Sequence, residues 1–342
     1  MSDTATQEAP SAQRTALKVA RIAADAFLRR REASVFLVAI VVMAYFQYAT
    51  DNTFLVKDNL RNIAQATGPT AIVAVGIVLL LVCGEIDISV GVVAALAPYL
   101  MHYAIDFYSI PAIPAIVLAL VVSAGIGFLN GFISTFLRVP SLVATLGTYT
   151  ALQGILLLTS HAYPVSIPEP TKGTIQDWLG GSNFASIIWC LVIVAVFHVV
   201  LTNTRWGLHT ISVGGNALGA TEAGIRANRI KVGNFMVAST LAAFAGLLEA
   251  FRINSIDPNI GGGTRITFTA IAAAVIGGTA LAGGSGTVIG ALFGMLVLAE
   301  LTNGFNVLGY NANTIFLVTG IAILVSMIAN QYFARLRRTG RT

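Results

Sequence analysis

Two carboxylates and a hydroxyl alternate in the run Gly84-Glu85-Ile86-Asp87-Ile88-Ser89-Val90-Gly91, a polar island set between long apolar stretches. Oxygens at that spacing can accept hydrogen bonds from the hydroxyls of a sugar or polyol, or hold a proton or cation. An acid near the centre of a bilayer costs about 2.5–3.5 kcal/mol, so such groups persist where they face a cavity or a protein partner. The bracketing glycines let the backbone unwind there and still find hydrogen-bond partners. Two readings follow. One is a broken helix lining a polar path; the other is a cytoplasmic hairpin turn in which Glu85 and Asp87 are simply wet.

A second interruption, Gly277-Gly278 followed by Gly283-Gly284-Ser285-Gly286, again separates two short apolar segments. Glycine-broken segments in both halves of a transporter point to a central pathway. The plainer reading is that these glycines let helices pack closely. Asn130, Asn303 and Asn306 fall on apolar segments or their ends, where bonds between helices are the default use of an amide. Asn130 is also carried as a candidate for the pathway. Glu249 and Arg252 stand three apart, a spacing that pairs charges on one helix face. Glu300 lies inside an apolar segment and needs a partner or water. Cys83 and Cys190 sit in or beside apolar segments and suggest neither a disulfide nor a metal site, and the four histidines form no ligand-spaced cluster.

These groups need elements to position them, and the composition says which kind. Of 342 residues 56% are hydrophobic and only 10% charged, with a mean hydropathy of +0.80; soluble domains carry about 25% charged residues. The chain is therefore an all-α polytopic membrane protein. Apolar segments at 34–49, 68–82, 91–105, 113–137, 140–159, 184–203, 232–253, 264–282, 286–304 and 313–331 give about ten spans, with an eight-span version containing re-entrant segments left open. With the N-terminus inside, 15 of the 20 basic residues fall on the cytoplasmic side: those at 14–31, Arg138, the four in 205–231, and the four in 332–342. That asymmetry puts both termini in the cytoplasm. Residues 1–33 read as a disordered tail and basic interfacial segment, 34–331 as one transmembrane domain, and 332–342 as a basic cytoplasmic tail. The net charge of +5 is thus a matter of membrane sidedness rather than nucleic-acid binding.

The polar loop 205–231 interrupts the apolar pattern most strongly. Asn216 suits an N-cap, Ala217 to Ala223 suit a short helix, and Gly224 suits the left-handed position that ends one. A short helix of small residues on the cytoplasmic face fits a groove on another protein; alternatively the loop only connects two spans. Contact residues on the first reading are Gly215, Asn216, Ala220, Ala223 and Gly224, with Ile225 as the apolar anchor. No G-x-x-x-x-G-K-[ST] phosphate loop occurs in the chain, so any ATP hydrolysis belongs to another subunit.

Gly214 to Asn216 (GGN), Ala223 to Ile225 (AGI), AFAGLLEAFRI from Ala243 to Ile253, AIAAAVIGGTALAGGSGTVIGAL from Ala270 to Leu292, and TNGFN from Thr302 to Asn306 resemble the permease subunits of bacterial ribose-type monosaccharide ABC importers, as does GEIDISVG at Gly84 to Gly91. The resemblance runs from about residue 60 to the last span and implies an ABC importer permease fold in the bacterial inner membrane. It also implies a separate cytoplasmic ATPase subunit, a periplasmic sugar-binding protein, and a second permease subunit forming a homodimer. It implies no enzymatic activity and no cofactor. Where that family commonly reads Glu-Leu-Asp, this chain has Thr267-Phe268-Thr269; Thr267 and Thr269 therefore join Glu85, Asp87, Ser89 and Asn130 as candidate pathway residues. An ion-gradient-driven secondary transporter or facilitator is the rival reading, with Glu85 or Asp87 as the ion site.

Overall fold

The computed structural model describes residues 31–182, 184–258 and 264–339. Most of the basic segment before the first span, and the last three residues, lie outside them. Ten helices carry the ten apolar segments: α1 (Arg31–Ala49), α2 (Lys57–Val82), α3 (Val90–Asp106), α4 (Ala112–Thr135), α5 (Ser141–Ser160), α6 (Ala185–Asn203), α9 (Ala227–Ile253), α10 (Thr264–Ile276), α11 (Val288–Val307) and α12 (Ala312–Thr339). Two further helices, α7 (Arg205–Gly215) and α8 (Ala217–Glu222), build the polar loop. Seven of the ten are long and apolar enough to cross a membrane; α3, α10 and the apolar part of α12 are shorter. Helix α12 runs on to Thr339, so the stretch set apart as a tail continues the last helix.

Helix α2 is apolar on every side from Ala71 to Val82 and lies at the centre, with 83% of its apolar window buried against 17% for α5. A helix apolar all round belongs inside a bundle, whereas α1, α4, α5 and α6 leave broad apolar faces for lipid. Helix α9 is the second hub and packs on α2, α3 and α4. Small residues allow this: a Cβ on Gly246 would lie 1.8 Å from the Ala94 carbonyl oxygen, and one on Gly127 would lie 2.4 Å from that of Phe235.

Residues 161–182, between α5 and α6, fold back on the bundle. Their strand β1 (Val165–Ser166) pairs antiparallel with β2 (Ser255–Ile256), just past the end of α9. Gln176 donates to the Phe251 carbonyl (3.1 Å), and Trp189 on α6 donates to the Trp178 carbonyl (2.9 Å).

Candidate functional site

The first glycine-flanked run is a break between two helices. Helix α2 ends in a Schellman motif: Gly84 has φ +81°, its N–H donates to Leu81 (3.0 Å), and the Glu85 N–H donates to Leu80 (2.9 Å). The chain is then irregular, with a bend at Ile88 and a turn at Ser89, until α3 begins. Asp87 Oδ1 accepts from the Ser89 N–H (2.7 Å) and from Ser89 Oγ (2.6 Å). Asn130 on α4 donates to Ser89 Oγ (2.8 Å) and, more distantly, to Asp87 Oδ2 (3.4 Å), while Thr148 on α5 donates to Asn130 Oδ1 (2.6 Å).

The backbone of the break is satisfied by hydroxyls from other helices. Ser141 and Thr145 on α5 accept from the N–H groups of Ile86 (3.2 Å) and Ile88 (3.1 Å). Thr267 on α10 donates to the Ile88 carbonyl (3.1 Å) and accepts from the Gly91 N–H (3.0 Å). Non-helical backbone inside a membrane protein survives only when its groups are paired in this way. Asp87, Ser89, Asn130 and Thr267 are all fully buried, at 0% exposure; the first three bond one another and Thr267 joins them through the backbone of Ile88 and Gly91, so four of the six pathway candidates meet in one closed polar network at the break.

The other two lie elsewhere. Glu85 makes an ion pair with Lys231 at the start of α9, with Nζ to Oε1 2.5 Å. Thr269 borders a cavity of about 650 Å³ among α2, α9, α10, α11 and α12. Neither the wet turn nor the open path describes this arrangement: Asp87 is dry and bonded, and Glu85 is paired.

The polar loop forms the helix expected of it. Asn216 Oδ1 accepts from the Gly219 N–H (3.0 Å), and Gly224, with φ +83°, closes a second Schellman motif through Gly224 N–H to Thr221 (2.9 Å) and Ile225 N–H to Ala220 (2.9 Å). The faces differ from the expectation. Ala220 turns inward and packs with Val213 and Ile230, and the partly buried Ile225 lies against the same cluster. The large apolar side chain α8 presents outward is Leu218, 72% exposed, which the small-residue argument overlooked. Gly215, Ala223 and Gly224 are exposed, as is Asn216.

This loop is clamped to both helix breaks. A Cβ on Gly214 would lie 1.7 Å from the Val82 carbonyl oxygen, and the Gly284 N–H donates to that same oxygen (2.8 Å). Gly283 and Gly284, with φ +85° and +75°, turn tightly beneath Gly214 and Gly215. Trp206 at the start of α7 donates to Asn234 on α9 (2.9 Å), and the Asn234 amide donates to Thr210 (3.2 Å). The glycines of the second interruption therefore do two things: Gly277 packs against Gly290 and Gly294 against Ala273, while Gly283-Gly284 meet the polar loop. Among the described residues no three His, Cys, Asp or Glu side chains come together to hold a metal.

Seven helices long and apolar enough to cross a membrane, with two helix breaks tied to a clamped polar loop, form the architecture of a multi-pass membrane protein. Residues 59–327 match the family described as the permease component of the branched-chain amino acid transport system, and the chain belongs to that family. It is 35% identical to the xylose/arabinose import permease of Sulfolobus acidocaldarius over 321 residues, covering 90% of this chain and 87% of the relative. It is 32% identical to the ribose import permease of Escherichia coli over 299 residues, 86% of this chain and 92% of the relative. A probable ABC transporter permease of Escherichia coli is 33% identical over 89% of this chain and 91% of its own length. No solved structure matches the chain.

Proposed function

We propose that this chain is the transmembrane subunit of an ATP-binding cassette importer that moves a monosaccharide or related polyol across the bacterial inner membrane. A separate cytoplasmic ATPase powers it, a periplasmic binding protein delivers the sugar, and a second copy of the chain completes the pore as a homodimer. All ten apolar helices serve as spans, with both termini in the cytoplasm. In this reading α8 is the coupling element: Leu218 docks on the ATPase while Asn216 and Gly224 fix the helix ends.

The observation that carries it is the glycine clamp. Motion applied to α8 reaches Val82 at the end of α2 and Gly284 between α10 and α11 through backbone contacts, with no flexible side chain between. The similarity to permeases named for xylose, arabinose and ribose supports the sugar class. The buried network of Asp87, Ser89, Asn130 and Thr267 then holds the broken helix closed rather than touching sugar in this conformation. One feature favours the rival, ion-driven reading: Glu300 is fully buried and neither of its carboxylate oxygens has a hydrogen-bond partner among the described residues.

The test is assembly and stimulation. Co-expressed with its ATPase, the chain should co-purify with it, and sugar-loaded binding protein should accelerate hydrolysis. Leu218→Glu should abolish both while leaving membrane insertion intact. Unchanged association and stimulation in that variant would remove the coupling assignment.

A further inference from the structure

The cavity bordered by Thr269 lies away from the polar loop. It is lined by the first half of α2, the second halves of α9 and α11, and the first half of α12, the ends opposite those that meet Gly214. Its volume of about 650 Å³ falls within the range of small-molecule sites, about 300–1,000 Å³. Its floor includes Ala94, one turn beyond Gly91, and Thr269, two residues beyond Thr267. Gly91 and Thr267 are bonded to each other, so the cavity rests on the closed polar network.

Its chemistry is that of a polyol site. Thr302 and Asn303 on α11 line it as neutral polar residues. Glu249 and Arg252 border the same space and pair through two contacts, Nε to Oε2 at 2.8 Å and Nη2 to Oε1 at 2.5 Å. The pair keeps the wall near neutrality, yet guanidinium donors and carboxylate lone pairs remain for vicinal hydroxyls. Phe268, 54% exposed, offers an open aromatic face, while the ring of Phe316 is covered by Arg265 at 4.6 Å. A mostly apolar wall, an aromatic face and a few placed amide and charged groups suit a ring that is apolar on its C–H face and hydroxylated at its edge.

We propose that this cavity receives the neutral monosaccharide or polyol, with the Asn303 amide, the Glu249–Arg252 pair and the Phe268 ring as its recognition groups. The assignment rests on the importer reading for the class of ligand, and it locates the receiving site away from Glu85 and Asp87. Occupation of the cavity precedes opening of the Asp87–Thr267 network beneath it.

The experiment needs neither ATP nor the ATPase, so its outcome is separable from that of the importer reading. Asn306→Cys places a thiol at the cavity rim; the native Cys83 and Cys190 are buried. The full chain in lipid nanodiscs is treated with a small charged thiosulfonate reagent in the presence of D-ribose, D-xylose, L-arabinose, D-galactose or myo-inositol. Each is tested up to about 100 mM, enough to reveal millimolar affinity. At least one should slow modification by about threefold or more, the protection expected at concentrations several times Kd. A control thiol in Leu218→Cys should react at an unchanged rate. Adding Asn303→Leu should raise the protecting concentration about tenfold, the equivalent of one hydrogen bond lost. No slowing by any of the five overturns the proposal and leaves the cavity to a lipid chain or the second subunit. Full protection in the Asn303→Leu background overturns the recognition geometry.

Discussion

Gly214 and Gly215 are adjacent and chemically identical, yet alanine should be destructive at one and harmless at the other. At Gly214 a Cβ would lie 1.7 Å from the Val82 carbonyl oxygen and 2.8 Å from both the Val82 carbonyl carbon and the Gly284 nitrogen. All three are backbone atoms, so no side chain can rotate away. The loop must lift by more than an ångström, and the 2.8 Å bond from Gly284 N–H to Val82 breaks. Overpacking of this kind costs about 1–3 kcal/mol and a lost hydrogen bond about 1 kcal/mol more, so Gly214→Ala should cost about 2–4 kcal/mol. At Gly215 the nearest atom is the Gly284 Cα at 3.8 Å, an ordinary contact, and Gly215→Ala should stay within about 0.5 kcal/mol. Thermal unfolding of both variants in detergent, read beside co-purification of the ATPase, measures the difference. Gly214→Ala should melt earlier and lose ATPase-coupled transport, whereas Gly215→Ala should match the parent. Equal behaviour of the two would refute the idea that the glycine contact carries motion.

Gly224 has open space around a Cβ but φ +83°, so Gly224→Val should be strained by about 1–2 kcal/mol and weaken ATPase association, while Gly224→Asn, which tolerates the left-handed conformation, should retain it. Lys231→Met leaves the part-buried Glu85 carboxylate unpaired, at a cost up to the roughly 3–5 kcal/mol seen for broken buried pairs. Adding Glu85→Gln to it should recover much of that loss in thermal unfolding, and a double variant no better than the single would deny the pairing. Glu300→Gln replaces a buried acid that has no hydrogen-bond partner among the described residues, and it should raise the thermal midpoint without reducing ATP-driven uptake. Abolished uptake in Glu300→Gln would instead favour an ion site.

Much of the fold was legible because membrane helices announce themselves locally. Each of the ten apolar segments carries a helix, although the one read as 264–282 is helical only to Ile276, and Asn216 and Gly224 occupy the cap positions expected of them. Gly84 likewise marks the end of α2, since a left-handed turn there needs no partner to be inferred. The site was less legible because its bonds are non-local. Glu85 looked like a free carboxylate, but its partner Lys231 is 146 residues away and read only as part of a basic loop. Ser141 and Thr145 carry no signal at all: a hydroxyl on an apolar helix more often bonds its own turn, and Thr145 Oγ1 also donates to the Ser141 carbonyl (2.8 Å). Thr267 enters as a pathway candidate only because an acid is missing there, yet it closes the break by pairing with Ile88 and Gly91. In the polar loop Ile225 reads as the apolar anchor and Leu218 is passed over; which residue faces outward depends on which face Val213 and Ile230 cover, and that is set by neighbours in space.

Sugar accumulation in proteoliposomes tests the central claim most directly. The chain is reconstituted with its ATPase and sugar-loaded binding protein, with ATP supplied on the ATPase side. Uptake should require all three proteins and ATP, should persist when proton and sodium gradients are collapsed, and should vanish when the ATPase is omitted. Uptake by the chain alone, driven by an imposed proton or sodium gradient and indifferent to ATP, would contradict the importer reading.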